Sequence, residues 1–329
     1  MNMVKFSYFL GSEQWQPVTI IEHASLARDA GFDMVTISEH FHPWVDDQSA
    51  SNFAWSTLGV LTSTVPEIDL GTGVTTPLWR MHPAIVAQAS ATIDRLTNKT
   101  FHLGVGTGEN LNEGPLGYTF PAYAERAERM KEALFIIRNL LNGEKLDFKG
   151  NYYSTEKAKL YSPPKKKVPI WLAAGGPKSA QLASEYADGL MISVKDPKEA
   201  YEKVIEPSNI KSKELDKNNL RVHTYRWTVF AENEADAWEA LGPWRGLRAP
   251  GRLEEKDPKV LREAADNMDK TEILSKYSIA GSIQEIIDIY TPLVTEFNSE
   301  IVTIQITSTN QKETIELLGN ELLPVLRKI

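Results

Sequence analysis

Short apolar segments of strand character recur along the whole chain, and segments of helical character separate most of them. Consecutive parallel strands need a crossover between them, usually a helix, because each strand must begin at the same edge of the sheet. The predicted strands are residues 4–10, 34–37, 68–74, 101–105, 168–174, 189–193, 221–230 and 300–307. Eight strands that alternate with helices predict an α/β fold of the (β/α)8 type, a TIM barrel with insertions.

A doubly wound parallel sheet would also satisfy this alternation, and it is the competing fold. We expect a single domain over residues 1–329, since α/β barrels of this length occur as one unit. The largest insertion is expected between strands seven and eight, with helical patterns at residues 259–268 and 282–293. A small hairpin is predicted at residues 147–153, with its turn at residues 149–151.

Composition excludes several classes of site. The chain has no cysteine, so disulfides, thiolate zinc sites, iron–sulfur clusters and a cysteine nucleophile are excluded. No spacing of histidine and carboxylate residues indicates a metal site. The net charge of −8 argues against nucleic-acid binding. With no signal-like start and no long apolar run, we expect a cytoplasmic protein that makes no membrane contact.

Polar or glycine-rich segments directly follow five of the predicted strands. The most distinctive is residues 38–44, SEHFHPW, because a buried strand cannot continue through a carboxylate, two imidazoles and a proline. The others lie at residues 73–77, 106–109, 174–177 and 193–195. In a parallel barrel the carboxyl ends of all strands open at one mouth, where active sites are built. We therefore expect one site assembled from these segments.

His40 and Glu109 are the candidate proton-transfer groups. His40 can act as a general base or hydrogen-bond donor, because the imidazole pKa ordinarily lies near ~6.5. Glu109 follows a glycine-rich strand exit, where partial desolvation raises the pKa of a carboxyl group. The structural alternatives are a histidine satisfied by nearby backbone and a glutamate in the first turn of a helix. Trp44 would either stack on a planar ligand or fill the rim of the barrel.

The glycine motifs favour an anion site over a dinucleotide fold. Gly106 and Gly108 lack the spacing of a dinucleotide fingerprint, and Glu109 stands where the helix should open. Residues 174–177, AGGP, resemble an anion cradle, with backbone N–H groups at a helix start and proline near its first position. A tight structural turn is the alternative. No nucleophile elbow or Walker loop is present, so hydrolase and nucleotide-phosphatase functions lack support.

Together these segments resemble the luciferase-like flavin and deazaflavin oxidoreductases, and specifically the F420-dependent glucose-6-phosphate dehydrogenases. The most specific matching segment is residues 104–113, GVGTGENLNE. The other matching segments, in family order along the chain, are residues 11–14, 38–44, 76–77, 83–88 and 173–177. The resemblance implies a TIM barrel with the deazaflavin coenzyme F420 across its mouth, in a homodimer.

The resemblance implies a catalytic set of His40, Trp44 and Glu109. His40 would take the proton of the substrate hydroxyl or stabilise the hydride-transfer state. Glu109 would protonate the deazaflavin, and Trp44 would brace the site. A cis peptide bond between Gly73 and Val74 would form a bulge behind the coenzyme ring. The other coenzyme contacts that the resemblance implies are Glu39, Thr76, Gly108, Asn112, Ala174, Gly175, Gly176, Pro177 and Ser193.

The substrate residues match this family less closely. Its phosphate pocket uses two lysines and an arginine, and the substrate-binding candidates here are Lys195, Arg248, Arg252 and Lys276. Lys195 aligns with a one-residue gap, and Lys276 stands where an arginine is expected, which removes the bidentate fork. Glu39 replaces the usual aspartate and lengthens that carboxylate by one methylene. We expect hydride transfer to F420 from a sugar 6-phosphate or another small alcohol, with an anionic substrate favoured.

Two other functions use the same barrel. An FMN-dependent luciferase-like monooxygenase or reductase is the main alternative, since a fold does not determine its function. A non-catalytic flavin-binding barrel is the second alternative, and an intact pair of His40 and Glu109 argues against it.

Overall fold

Eight parallel strands close into a barrel in the computed structural model, which describes residues 4–329. Each strand pairs with the next one along the chain. The last strand pairs with the first, which closes the circle. The strands are β1 (Lys5–Leu10), β2 (Met34–Ile37), β3 (Asp69–Thr72), β4 (Phe101–Val105), β5 (Ile170–Ala173), β6 (Gly189–Ser193), β7 (Arg221–Phe230) and β8 (Ile301–Thr307). The predicted (β/α)8 fold is confirmed, and the doubly wound sheet is excluded because β6 pairs with β7 and β8 with β1.

The helices pack around the outside of this barrel and follow the predicted periodicity at most positions. Their apolar faces bury a continuous cluster against the outward side chains of the strands. The helices are α1 (Pro17–Asp29), α2 (Ala54–Thr64), α3 (Pro83–Leu96), α4 (Asn110–Glu113), α5 (Tyr123–Leu141), α6 (Pro177–Tyr186), α7 (Pro197–Ala200), α8 (Glu206–Glu214), α9 (Glu234–Leu241), α10 (Pro258–Asp266), α11 (Lys270–Leu274), α12 (Ile283–Thr295), α13 (Gln311–Leu317) and α14 (Leu323–Leu326). In residues 4–329, no helix combines the length and apolarity needed to cross a membrane.

The barrel interior mixes large apolar side chains with hydrogen-bonded polar ones. Trp171 is fully buried there and packs with Met34, Met191 and Tyr225. At the amino-terminal end of the strands, the Trp171 Nε1–H donates to Nδ1 of His102 at 3.1 Å. The amino-terminal end of the barrel is therefore closed by packed side chains that are joined by a buried hydrogen bond. The open end lies at the carboxyl ends of the strands.

The insertion after β7 covers part of that open end. It contains a second buried cluster, in which Trp44 from the β2 loop packs with Leu241, Trp244 and Leu261. Trp244 is anchored on the barrel because its Nε1–H donates to Gln14 Oε1 at 2.8 Å. A short strand of this insertion, Ser278–Ala280, pairs in parallel with the end of β7. This strand was not predicted. The predicted position of the largest insertion is confirmed.

The predicted hairpin at residues 147–153 was wrong in its second half. Leu146–Lys149 pairs with Ser154–Ala158, so the turn is residues 150–153 and begins one residue later than the predicted turn at residues 149–151. The Glu132 carboxylate on α5 explains the shift, because it accepts hydrogen bonds from the backbone N–H groups of Asn151, Tyr152 and Tyr153. A side chain from another element holds these residues as a turn.

Candidate active site

A cavity of about 440 Å³ opens at the carboxyl ends of the strands. Residues from the ends of β1, β2, β3, β4, β5, β6, β7 and β8 contribute to its lining. The predicted residues that line it are His40, Trp44, Glu109, Glu39, Gly73, Val74, Thr76, Gly108, Asn112, Ala174, Gly175 and Ser193. The structure thus brings together most of the segments that the sequence placed at one mouth.

His40 follows β2 and presents one ring nitrogen to the cavity. Its Nδ1 lies 3.0 Å from the His42 carbonyl oxygen. A carbonyl oxygen can only accept, so the hydrogen-bond network assigns a proton to Nδ1. The Nε2 atom faces the Oε1 atom of Glu13 at 3.2 Å and the Oε2 atom of Glu109 at 3.5 Å. Nε2 is therefore the nitrogen available for proton exchange, and two carboxyl groups bracket it.

Glu13 was matched to the family segment in the sequence but was given no role. It follows β1, is 2% exposed, and lines the cavity. The Ser38 hydroxyl donates to its Oε2 atom, which leaves Oε1 facing His40. Its position after a strand end was the one signal that could have found it, and that signal is weak because the loop after β1 carries no second ionisable group.

Glu109 caps the short helix α4 and stands beside His40. Burial in the surrounding protein raises the pKa of its carboxyl group, while the nearby His40 and Arg252 lower it and Glu13 raises it further. The net effect is a raised pKa, although 30% of the side chain is exposed. Gly108 precedes it with a φ of +78°, a left-handed conformation that favours glycine. Glu109 is thus held by the backbone turn that the glycine permits.

Glu39 is turned toward protein side chains as well as the cavity. It is 3% exposed, accepts a hydrogen bond from the Thr75 hydroxyl, and lies 3.0 Å from Arg80 Nη1. Arg80 also lies 3.4 Å from Glu113, so one guanidinium serves two buried carboxyl groups. Burial raises the pKa of Glu39, and burial together with the proximity of Glu39 raises the pKa of Glu113 to about 7. Arg80 and Glu113 were not predicted from the sequence.

The floor of the cavity is a small apolar platform. The peptide bond between Gly73 and Val74 is cis, as the resemblance implied. A Cβ atom built on Gly106 would lie 2.7 Å from Val74 Cγ2 and 3.9 Å from Ala173 Cβ. Glycine at this position therefore lets Val74 lie over the end of β4. The platform, with Thr76 at its edge, leaves room for a flat ring.

Asn112 fixes the loop that carries the catalytic candidates. Its Oδ1 atom accepts hydrogen bonds from the backbone N–H groups of Phe41 at 2.8 Å and His42 at 3.4 Å. Trp44, further along the same loop, is 3% exposed, and its ring centroid lies 5.2 Å from that of His40. Asn112 therefore helps to hold the loop as well as lining the cavity.

The backbone N–H groups of the glycines after β5 are hydrogen-bonded within the protein, whereas the predicted anion site needs them free. The N–H groups of Gly175 and Gly176 both point to the Ser179 hydroxyl oxygen, at 3.2 and 3.3 Å. A Cβ atom at either glycine would meet nothing within 4 Å, so the space beside them is open. Pro177 begins α6, as predicted, but is not part of the cavity lining. An anion bound here would share these N–H groups with Ser179.

The four predicted substrate cations do not meet in the cavity. Lys195 Nζ lies 3.4 Å from the Ser275 carbonyl oxygen, and Lys276 pairs with Glu272 at 3.2 Å. The remaining two are Arg248, over the ring of Tyr277 at 5.3 Å, and Arg252, 3.9 Å from Glu109. Among the described residues, no lysine or arginine lines the cavity.

The comparison with known sequences identifies the family. The sequence profile of the luciferase-like monooxygenases matches residues 4–291. The chain belongs to this family. An F420-dependent hydroxymycolic acid dehydrogenase of Mycobacterium tuberculosis is 34% identical over 286 residues, which are 85% of this chain and 79% of that protein. An F420-dependent glucose-6-phosphate dehydrogenase of Microbacterium testaceum is 31% identical over 330 residues, which are 99% of this chain and 98% of that protein.

A solved structure is also very similar to this chain. It is an F420-dependent secondary alcohol dehydrogenase in complex with an F420–acetone adduct. It is 29% identical, has a TM-score of 0.91, and the match covers 99% of both chains. This similarity confirms the predicted barrel over almost its whole length, and the predicted family is confirmed with it.

Proposed function

We propose that this chain is an F420-dependent oxidoreductase that acts on the CH–OH group of an alcohol. The observation that carries the proposal is the pairing of His40 Nε2 with the Glu109 carboxyl group, 3.5 Å apart at the edge of a flat apolar platform. Relatives that match along nearly the whole chain are F420-dependent dehydrogenases of a sugar phosphate or of alcohols. Their shared dependence on F420 favours the deazaflavin over FMN.

The residues of the platform fit a deazaflavin ring. Val74, Gly106 and Ala173 offer an apolar surface, and the missing Cβ of Gly106 keeps that surface flat. Open space beside Gly175 and Gly176 would accommodate the coenzyme side chain. Further contacts would come from Glu39, Gly73, Thr76, Gly108, Asn112, Ala174, Pro177 and Ser193. When bound, the deazaflavin supplies the hydride acceptor.

Two residues of the chain would each hold one of the protons that the reaction moves. His40 Nε2 accepts the proton of the substrate hydroxyl, while Nδ1–H stays on the His42 carbonyl and keeps the ring in orientation. The raised pKa of Glu109 lets its carboxyl group hold a proton at higher pH than an exposed glutamate. Trp44 closes the wall beside His40 and excludes water.

Titration with coenzyme F420 and with FMN tests this proposal. Purified protein should bind F420, and addition of an alcohol substrate should bleach the visible absorbance of the coenzyme. Binding of FMN but not of F420 would overturn the proposal and favour the monooxygenase or reductase alternative.

We also propose that the enzyme is a cytoplasmic homodimer. The resemblance to the F420-dependent dehydrogenases supports the dimer, and so do exposed apolar side chains such as Phe53 (59%) and Val18 (69%). Light scattering should give a mass twice the 36.9 kDa of one chain. A mass of one chain at micromolar concentration would contradict the dimer.

A further inference from the structure

One wall of the cavity, above His40, is aromatic. It consists of Phe9, Trp44, Tyr225, Trp227 and Trp244, together with Leu247 from the insertion. The rings pack on one another, with centroids of Trp227 and Trp244 4.7 Å apart and those of Phe9 and Trp244 6.5 Å apart. The packed rings offer an apolar surface, within which the Tyr225 hydroxyl and the Trp227 N–H have no hydrogen-bond partner among the described residues.

The charges that line the cavity are mostly negative. Glu13, Glu39 and Glu109 contribute carboxyl groups, and His40 is the sole group of the lining that can carry a positive charge within residues 4–329. A phosphate ester would enter with its own negative charge and would lose its hydration shell. No lysine or arginine among residues 4–329 lies in the lining to offset these two costs.

The four cations that were predicted to bind the substrate lie outside the cavity lining, each close to another protein group. Lys276 pairs with Glu272, and Lys195 reaches the Ser275 carbonyl oxygen. Arg248 lies over the Tyr277 ring at 5.3 Å and is not part of the cavity lining. Arg252 lies 3.9 Å from the Glu109 carboxyl group, so a phosphate beside it would also face a carboxylate.

The cavity is also small for two molecules. About 440 Å³ must hold both the coenzyme ring and the reacting part of the substrate. The space that remains beside the aromatic wall suits a compact body. Gln305, half-buried on β8, is one of the neutral polar side chains in the lining that could hydrogen-bond a second substituent.

We propose, on the basis of the function inferred above, that the substrate is a compact, uncharged alcohol whose carbon substituents pack against the aromatic wall. With the coenzyme bound, the C–H bond of the carbinol carbon would break and its electron pair would leave as hydride, for which the deazaflavin would be the acceptor. The hydroxyl proton passes to His40 Nε2, and the product is the uncharged carbonyl compound. The negative lining, which holds no lysine or arginine among residues 4–329, disfavours a phosphorylated sugar.

The test compares small secondary alcohols, such as 2-propanol and cyclohexanol, with glucose 6-phosphate. With the F420-loaded enzyme, kcat/KM should be at least about a hundredfold higher for the best alcohol than for glucose 6-phosphate. Quenching of the intrinsic tryptophan fluorescence by the corresponding ketones, but not by glucose 6-phosphate, would report binding independently of turnover. A higher kcat/KM for glucose 6-phosphate would overturn the inference and leave the F420 proposal intact.

Failure of F420 to bind is a different outcome and would overturn the proposed function itself. The tryptophan titration would still decide the substrate class in that case, since it needs no coenzyme turnover. Quenching by glucose 6-phosphate with no response to the ketones would refute the apolar pocket.

Two matched variants test the wall directly. Leu247→Lys places a cation in the lining, and Leu253→Lys makes the same change at a residue of the insertion that is 54% exposed and outside the lining. Leu247→Lys should lower kcat/KM for the alcohol about tenfold or more, with F420 affinity little changed, while Leu253→Lys should leave both unchanged. Equal effects of the two variants would show that the wall does not contact the substrate.

Discussion

Arg80 carries one positive charge and faces two buried carboxyl groups, those of Glu39 and Glu113. Glu113 is fully buried, and its Oε2 atom has no hydrogen-bond partner among the described residues. Burial, opposed by Arg80 and reinforced by Glu39, raises the pKa of Glu113 to about 7. Because this folded-state pKa lies above the unfolded value, stability from this group is present below about pH 4.5 and is lost as pH rises through about 7.

We expect Glu113→Gln to remove this pH dependence. A shift from 4.5 to about 7 corresponds to roughly 3 kcal/mol of unfolding free energy lost by the wild type at high pH. The variant should therefore gain stability relative to the wild type between pH 5 and pH 8, measured by urea denaturation at both values. The exposed Glu321→Gln serves as control. A stability difference that is the same at pH 5 and pH 8 would contradict the assignment.

A second residue-scale prediction concerns Glu109. Glu109→Gln keeps the size of the side chain but cannot exchange a proton with the reacting groups. We expect F420 affinity to stay within a few-fold while kcat falls about a hundredfold or more. Fluorescence titration and steady-state kinetics measure the two quantities, with the exposed Glu254→Gln as control. An unchanged kcat would remove Glu109 from the proton-transfer role.

At the scale of elements, the turn from β4 into α4 decides where Glu109 stands. Gly108 has a φ of +78°, and a Cβ atom there would lie 3.0 Å from Thr76 Cγ2. Gly117 has a φ of +84° with nothing within 4 Å of its Cβ position, and it lies outside the cavity lining. The two glycines share a backbone conformation and differ in surroundings.

Alanine substitution at these two glycines separates strain from function. Each variant should lose about 1 to 2 kcal/mol of unfolding free energy, because alanine is strained in the left-handed region. Only Gly108→Ala should also lower kcat, since Thr76 and the following Glu109 must shift. Chemical denaturation and kinetics of both variants measure this. Loss of activity in Gly117→Ala to the same extent would show that the effect is not local to the site.

At the scale of the whole molecule, a polar network ties together the floor of the barrel. Asp69 on β3 lies 2.5 Å from Lys5 Nζ on β1 and 3.3 Å from His102 Nε2 on β4. Burial alone would raise the pKa of Asp69, but hydrogen bonds from His102, Lys5 and the Thr100 N–H lower it to about 2. The network joins strands that the chain order separates.

Asp69→Asn should weaken the barrel without disturbing the site. We expect the free energy of unfolding to fall by about 2 kcal/mol at pH 7, because the substitution removes the negative charge that Lys5 and His102 face. The folded-state pKa is lowered, so this stabilisation is present above pH 3.8 and is lost as pH falls towards 2. The difference from the wild type should shrink over that range in urea denaturation, with kcat/KM at pH 7 unchanged. Asp29→Asn serves as control, since it removes an exposed ion pair with Arg28. It should lower the free energy of unfolding by at most about 0.5 kcal/mol.

Local pattern predicted the strands of this barrel well because strand and turn signals act over a few residues. β7 agrees with its predicted bounds, and the residues 38–44 leave the core at Ser38 as the polar sequence indicated. The helical segments α7 and α8 were not predicted, since their Lys- and Glu-rich sequence has little apolar periodicity. α8 packs on α6, where the Ser184 and Ser208 hydroxyl groups lie 2.9 Å apart.

The sequence by itself determined the barrel, its family and the positions of His40, Trp44 and Glu109, because these depend on short-range patterns and on motifs. The tertiary structure alone decided that Glu13 and Glu109, from different strand ends, face the same nitrogen of His40. It also decided where the four predicted substrate cations lie. A lysine or arginine side chain pairs with whichever carboxylate, carbonyl or ring the fold places within reach, and chain order does not reveal that partner.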